Sequence, residues 1–306
     1  MPTLNFYVNS DANATAPSGF TPATSVGAVG TAYASSTDDV RILVACETHA
    51  GPLDLAAFRG KITVVSESYG STDPFANPPV FPSLSLAARY SDTLIQGIAF
   101  QPGSGTATDG VTVDNCSGVV FEHCRFAGYG GAGAFVGECW TPVRFHACRF
   151  ETNGIGLICR EGRAQVTGSC LFLDNERYGV VCLIDSRLFF LDHAPGQPSN
   201  GGTFTVIKTT QIRKEYAAIK VSADSEIWLR TTEIDPHDVI AGYVAVRDES
   251  VYRSKDYFGV VLETRSALVG SDNVYFADPA FEEGAPTIPP DRQIKATDGH
   301  GTVVIP

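Results

Sequence analysis

Apolar and polar positions alternate along this chain in short runs that return at a nearly fixed interval. Val119 to Phe126 and Val143 to Phe150 share one order: apolar, free, apolar, free, turn residue, apolar, free, aromatic. The Cys-x-Phe ending returns at Cys170 to Phe172, and the closing Phe positions are spaced 24 (150 − 126) and 22 (172 − 150). Thr93 to Phe100 fits the same template, and Ile227 to Ile234 and Val269 to Phe276 fit it more loosely. Alternation at period two makes each unit a strand, because successive side chains of a strand point to opposite faces.

A strand pattern that repeats every 22 to 26 residues cannot bury its apolar face within one unit, so the units must stack as a solenoid. The expected fold is all-β: a parallel β-helix with one chain turn per repeat. A strand precedes each octet (Val111 to Val113, Phe135 to Gly137, Ile155 to Leu157, Val180 to Cys182). In the third regular coil Gly168 and Ser169 add a turn residue, which puts Ala164 and Val166 inward. The pattern divides the chain into four parts. Residues 1–38 are expected as an N-terminal arm or cap, and 39–83 as two lead-in strands and a proline-rich loop. Residues 84–276 form the β-helix proper, interrupted by a lateral loop at 192–202. Residues 277–306, rich in proline, are expected as a C-terminal cap or an extended docking tail, because proline cannot continue a ladder.

Composition narrows the function. A net charge of −12 over 306 residues repels a polyanion, so no nucleic-acid partner is expected. The first residues lack the basic and apolar regions of a signal peptide, and no apolar run reaches bilayer length, so folding in a cytosol without membrane insertion is expected. Cys124, Cys148 and Cys170 recur with the coil, which places them in the interior as small reduced thiols rather than in disulfides. There is no CxxC pair, P-loop, dinucleotide fingerprint or nucleophile elbow, so neither a cofactor nor a metal is expected.

Equivalent positions on successive coils lie about 4.8 Å apart, so outward residues form ladders. Asp114 and Glu138 are expected as neighbours, with Arg160 and Asp185 next in line. Carboxylates one coil apart would lie near the ~5–5.5 Å separation of retaining glycosidases. Arg125 should stack on Arg149, which is unfavourable without a carboxylate or an anionic ligand beside them. Glu122 should stack on His146. Tyr129 and Trp140 fall at coil corners, where their rings could lie on sugar faces, and the Trp228 region is the next such candidate.

These coils resemble the right-handed parallel β-helix group that includes pectate lyases and bacteriophage tailspikes. A pectate-lyase-like chain would imply an acidic calcium cluster beside an arginine base, which Asp114, Glu138 and Arg160 fit only loosely. The tailspike resemblance implies a virion spike or fibre component, made in the host cytoplasm. It would be a homotrimer docked on other virion proteins that binds bacterial surface polysaccharide. That adhesin reading is the expectation. A polysaccharide-degrading hydrolase or lyase is the runner-up, and a purely structural particle protein the third reading.

Overall fold

A computed structural model describes residues 3–33, 38–103, 108–168 and 170–191, then strands from Thr205–Thr209 to Thr302–Val304, together with Ser225. The chain winds as an all-β parallel solenoid. The described strands fall into three parallel sheets, one of twelve strands and two of eight. A regular coil takes one strand from each. In the best-defined coil these are Val119–Glu122 in sheet 1, Arg125–Ala127 in sheet 2 and Ala132–Gly137 in sheet 3. The next coil repeats them as Val143–His146, Arg149–Glu151 and Ile155–Arg160.

The alternation explains which way the side chains face. In Val111–Asp114, Val119–Glu122 and Val143–His146 the first and third residues are buried while the second and fourth are partly exposed. The closing phenylalanines stack in register, Phe100 on Phe126 on Phe150 on Phe172, with ring centroids 5.5, 4.7 and 4.4 Å apart and nearly parallel planes. Each such stack adds about 0.5–1.5 kcal/mol to the gain from burial. Ile207, Val246 and Phe276 continue the column in backbone register.

Three corners join the sheets, and in the regular coils each turns on at least one residue with positive φ. The corner from sheet 1 to sheet 2 uses Gly97, His123, Ala147 and Gly168. The corner from sheet 2 to sheet 3 uses Gly128, Thr152 and Asp174, and the corner from sheet 3 to sheet 1 uses Ala88, Asn115, Glu138, Glu161 and Ile184, with a second such residue at Gly118 and at Asp185. Such a conformation costs a non-glycine residue of the order of 1 kcal/mol, and the stacked coils impose it.

Behind these residues run columns of small polar or sulfur side chains that bond to the next coil's backbone. Cys148 N donates to Cys170 Sγ at 3.2 Å, and Cys116 N to Cys139 Sγ at 3.3 Å. At the second corner Asn153 Oδ1 accepts from Tyr129 N and Asn175 Oδ1 from Asn153 N, both at 3.1 Å. Both Asn side chains also donate to carbonyls, Asn153 to Phe126 O and Asn175 to Phe150 O, each at 3.0 Å. The ladder needs glycine beside it, since a Cβ at Gly133 would lie 2.7 Å from Asn153 Nδ2. All eight cysteines are free, and Cys124, Cys148 and Cys170 are fully buried as expected.

The pairing runs past both expected limits of the β-helix. Thr3–Val8 pairs with Asp39–Val44, which pairs with Ile62–Ser66, so strands of the expected arm or cap and of the lead-in belong to sheet 1. The short edge strand Thr21–Ala23, with Pro22 in its middle, closes that sheet. An eight-residue helix, Val26–Tyr33, adds Val26 and Val29 to the core alongside Leu53, Leu55 and Phe58. At the other end Ile294–Ala296 pairs with Val260–Leu262, and Thr302–Val304 with Ala267–Gly270, so part of the proline-rich tail joins the ladder. The lateral loop at 192–202, Ile234 and the Trp228 side chain lie outside the described residues.

Candidate functional site at the third corner

The third corner changes length from coil to coil. Cys139, Gly162 and Ser186 hold equivalent places, as do Val143, Ala164 and Leu188 at the start of sheet 1. Four residues separate Cys139 from Val143 (143 − 139), whereas two separate Gly162 from Ala164 and Ser186 from Leu188. The longer turn, Trp140 to Pro142, therefore overhangs the two trimmed corners that follow. The result is a cleft of about 420 Å³ lined by Glu138, Trp140, Glu161, Arg163, Asp185 and Arg187, with Cys139 and Gly162 at its floor.

Its walls follow from the stacking. Glu138 and Glu161 are the positive-φ residues that follow the last sheet 3 residue on two successive coils, whereas on the next coil Ile184 takes that place and Asp185, also at positive φ, comes one residue later. Arg163 and Arg187 open neighbouring sheet 1 strands and sit in register. Arg160 closes the adjacent sheet 3 strand, and its Nε meets Glu161 Oε1 at 3.3 Å. Both of these side chains are well exposed, so that ion pair adds little stability. Trp140 is 75% exposed, an unusual state for so large a ring. The thiol at the floor is inert, because burial pushes Cys139 up to about 12. Carboxylates, guanidinium groups and one bare indole face around a solvent-filled notch can hydrogen-bond a polyol and stack on its apolar face.

The expected site residues divide. Glu138 and Trp140 line the cleft and Arg160 borders it. Asp114 is not in register with Glu138. Its register partner is Gly137, because the positive-φ residue of each corner follows the last sheet 3 residue, and Glu138 holds that turn position instead. The Asp114 carboxylate fills the space over Gly137, where an added Cβ would come within 2.5 Å of Oδ1. Tyr129 is interior, 1% exposed, with its N–H on Asn153 and its hydroxyl donating to Pro82 O at 2.8 Å. No sugar reaches it there. Arg125 does stack on Arg149, but the pair is satisfied within the chain. Arg125 Nε bonds Glu151 Oε2 at 2.8 Å, and the Arg149 guanidinium lies 4.1 Å from the Phe75 ring centroid. Glu122 is in register with His146, yet its carboxylate accepts from Gln96 and Tyr69. Arg163, Arg187 and Glu161 were missed. Among the described residues no group of three His, Cys, Asp or Glu side chains could hold a metal ion.

Residues 91–188, which contain the cleft, match the family model described as a right handed beta helix region. No curated protein and no solved structure gives a significant match to the chain.

Proposed function

We propose that this chain is a polysaccharide-binding β-helix that grips its ligand at the third corner. Trp140, held 75% exposed over the charged cleft by the longest of three successive corners, is the observation that carries the reading. A ring left bare on a rigid scaffold costs solvation and adds nothing to folding, whereas stacked on a pyranose it supplies a desolvated anchor. The paired arginines and stacked carboxylates around it suit hydroxyls, uronates or amino sugars. The setting, a homotrimeric virion spike docked on other particle proteins and directed at a bacterial surface glycan, rests on the tailspike resemblance of the coils.

Glu138 and Glu161 also support a second reading, hydrolysis. They hold the same corner position one coil apart, near the ~5–5.5 Å used by retaining glycosidases. Binding to a panel of bacterial surface polysaccharides, measured by calorimetry together with release of reducing ends, tests both readings. Trp140→Ala is expected to weaken binding by about 1–3 kcal/mol. Glu138→Gln with Glu161→Gln leaves an adhesin's binding largely intact, and removes turnover from an enzyme while it still binds. Unchanged binding in Trp140→Ala rejects the third corner as the site.

A further inference from the structure

The Trp140 cleft is one end of a longer corner. Arg89, Cys116 and Cys139 occupy equivalent places on three successive coils: Ser117 N donates to Arg89 O at 2.8 Å, and Cys116 N to Cys139 Sγ at 3.3 Å. The residues that follow them are Tyr90, Ser117 and Trp140. Tyr90 is 67% exposed, so the two barest rings among the described residues share this corner. The Tyr90 hydroxyl donates to Asn115 Oδ1 at 3.0 Å, which ties the ring to the next coil and aligns it with the corner.

Corner length explains why the rings stand out. Four residues run from Arg89 to Thr93 (93 − 89) and four from Cys139 to Val143, but three from Cys116 to Val119 (119 − 116). The two long turns each carry a ring, and the short turn between them carries Ser117. Two coils separate the rings, about 9.6 Å at 4.8 Å per coil, a span comparable to a disaccharide. The surface between them is polar, made by Asn115, Ser117 and Glu138. A protein partner favours contiguous apolar area, whereas rings alternating with hydrogen-bonding groups match a sugar chain.

We infer that Tyr90 is a second aromatic subsite, so that the third corner binds an oligosaccharide running parallel to the solenoid axis from Tyr90, past Trp140, to Arg163 and Arg187. This inference rests on the glycan-binding reading above and adds the ligand's direction and minimum length. The test uses size-fractionated fragments of whichever bacterial surface polysaccharide retains the wild-type protein. Affinity is expected to rise about tenfold once fragments bridge the two rings. Tyr90→Ala removes that rise and leaves short fragments unaffected, Tyr90→Phe keeps it, and Trp140→Ala weakens fragments of every length. If Tyr90→Ala follows the wild type at all lengths while Trp140→Ala weakens binding, the second subsite is overturned and the glycan reading stands. If no polysaccharide retains the protein, or neither substitution matters, both fall together.

Discussion

The first and third corners of this solenoid are built on one plan and put to opposite uses. Each turns on a positive-φ residue, and cysteines behind both are bonded into the next coil. The first corner keeps its length: five residues separate Ile95 from Phe100, Phe121 from Phe126 and Phe145 from Phe150, and six separate Val166 from Phe172. It is also covered. The segment after Ser66 lays Tyr69 and Phe75 across it, against His123 and Arg149. The third corner varies between four and two residues and stays bare, with Tyr90 and Trp140 in solvent. Once the turn residue and the inward bond are set, the outer part of a corner is free to lengthen. In this chain that freedom is concentrated on the face with the cleft.

The contrast breaks most sharply if a charge enters the first corner. Cys124→Arg puts a cation where Cys124, fully buried, touches only the interior. The small thiol lies 3.4 Å from the carbonyls of Ile95 and Glu122, and a guanidinium far exceeds the space it fills, so the protein is expected not to fold, seen as loss of the β signal by circular dichroism and insoluble expression. The third corner already contains a buried arginine, which shows what such a charge requires. Arg89 donates to Thr93 Oγ1 and to the carbonyls of Phe58 and Gly60. Arg89→Met leaves those acceptors unmet and should cost about 2–4 kcal/mol in denaturant unfolding. Recovery of wild-type stability in Arg89→Met would remove the difference between a satisfied and an orphaned cation.

The covering segment should respond to acid. Burial, and then the neighbouring His146, lower the His123 pKa. The covered corner therefore resists a protonation of His123 that it accepts once the segment has opened. The stability this contributes is present above the ordinary histidine pKa and is lost as pH falls through the folded value. Limited proteolysis within residues 67–79 should accelerate on acidification, and His123→Gln should remove that acceleration. The smallest effect belongs to the third corner. Trp140→Ala is expected to change stability by less than about 0.5 kcal/mol, as for other surface substitutions, measured as the denaturant midpoint.

The interior was legible in the sequence because a ladder repeats its residue type as well as its spacing. The Phe and Cys columns both announce themselves that way, and both are where the octets placed them. The site was less legible. Tyr129, Asn153 and Asn175 are spaced 24 and 22, as the Phe column is, but a change from Tyr to Asn hides their common place. Cys116, Cys139 and Gly162 are spaced 23 and 23, and that spacing would have set Glu138 beside Asn115 and Glu161 rather than beside Asp114. The cleft itself arises from a difference in corner length, which no alternation of apolar and polar residues encodes.

The edge strand Thr21–Ala23 has a consequence for growth of the sheet. A parallel ladder has polarity, and an open end offers its free amides and carbonyls as a template on which another chain's strand can be laid. At this end the outermost strand has only three residues, and Pro22 in its middle has no N–H to offer. The first sheet thus begins with a segment too short and too poor in donors to seed a fibril. Removing residues 1–25 would uncover Asp39–Val44, six residues long and with alternate side chains buried, as a sticky end.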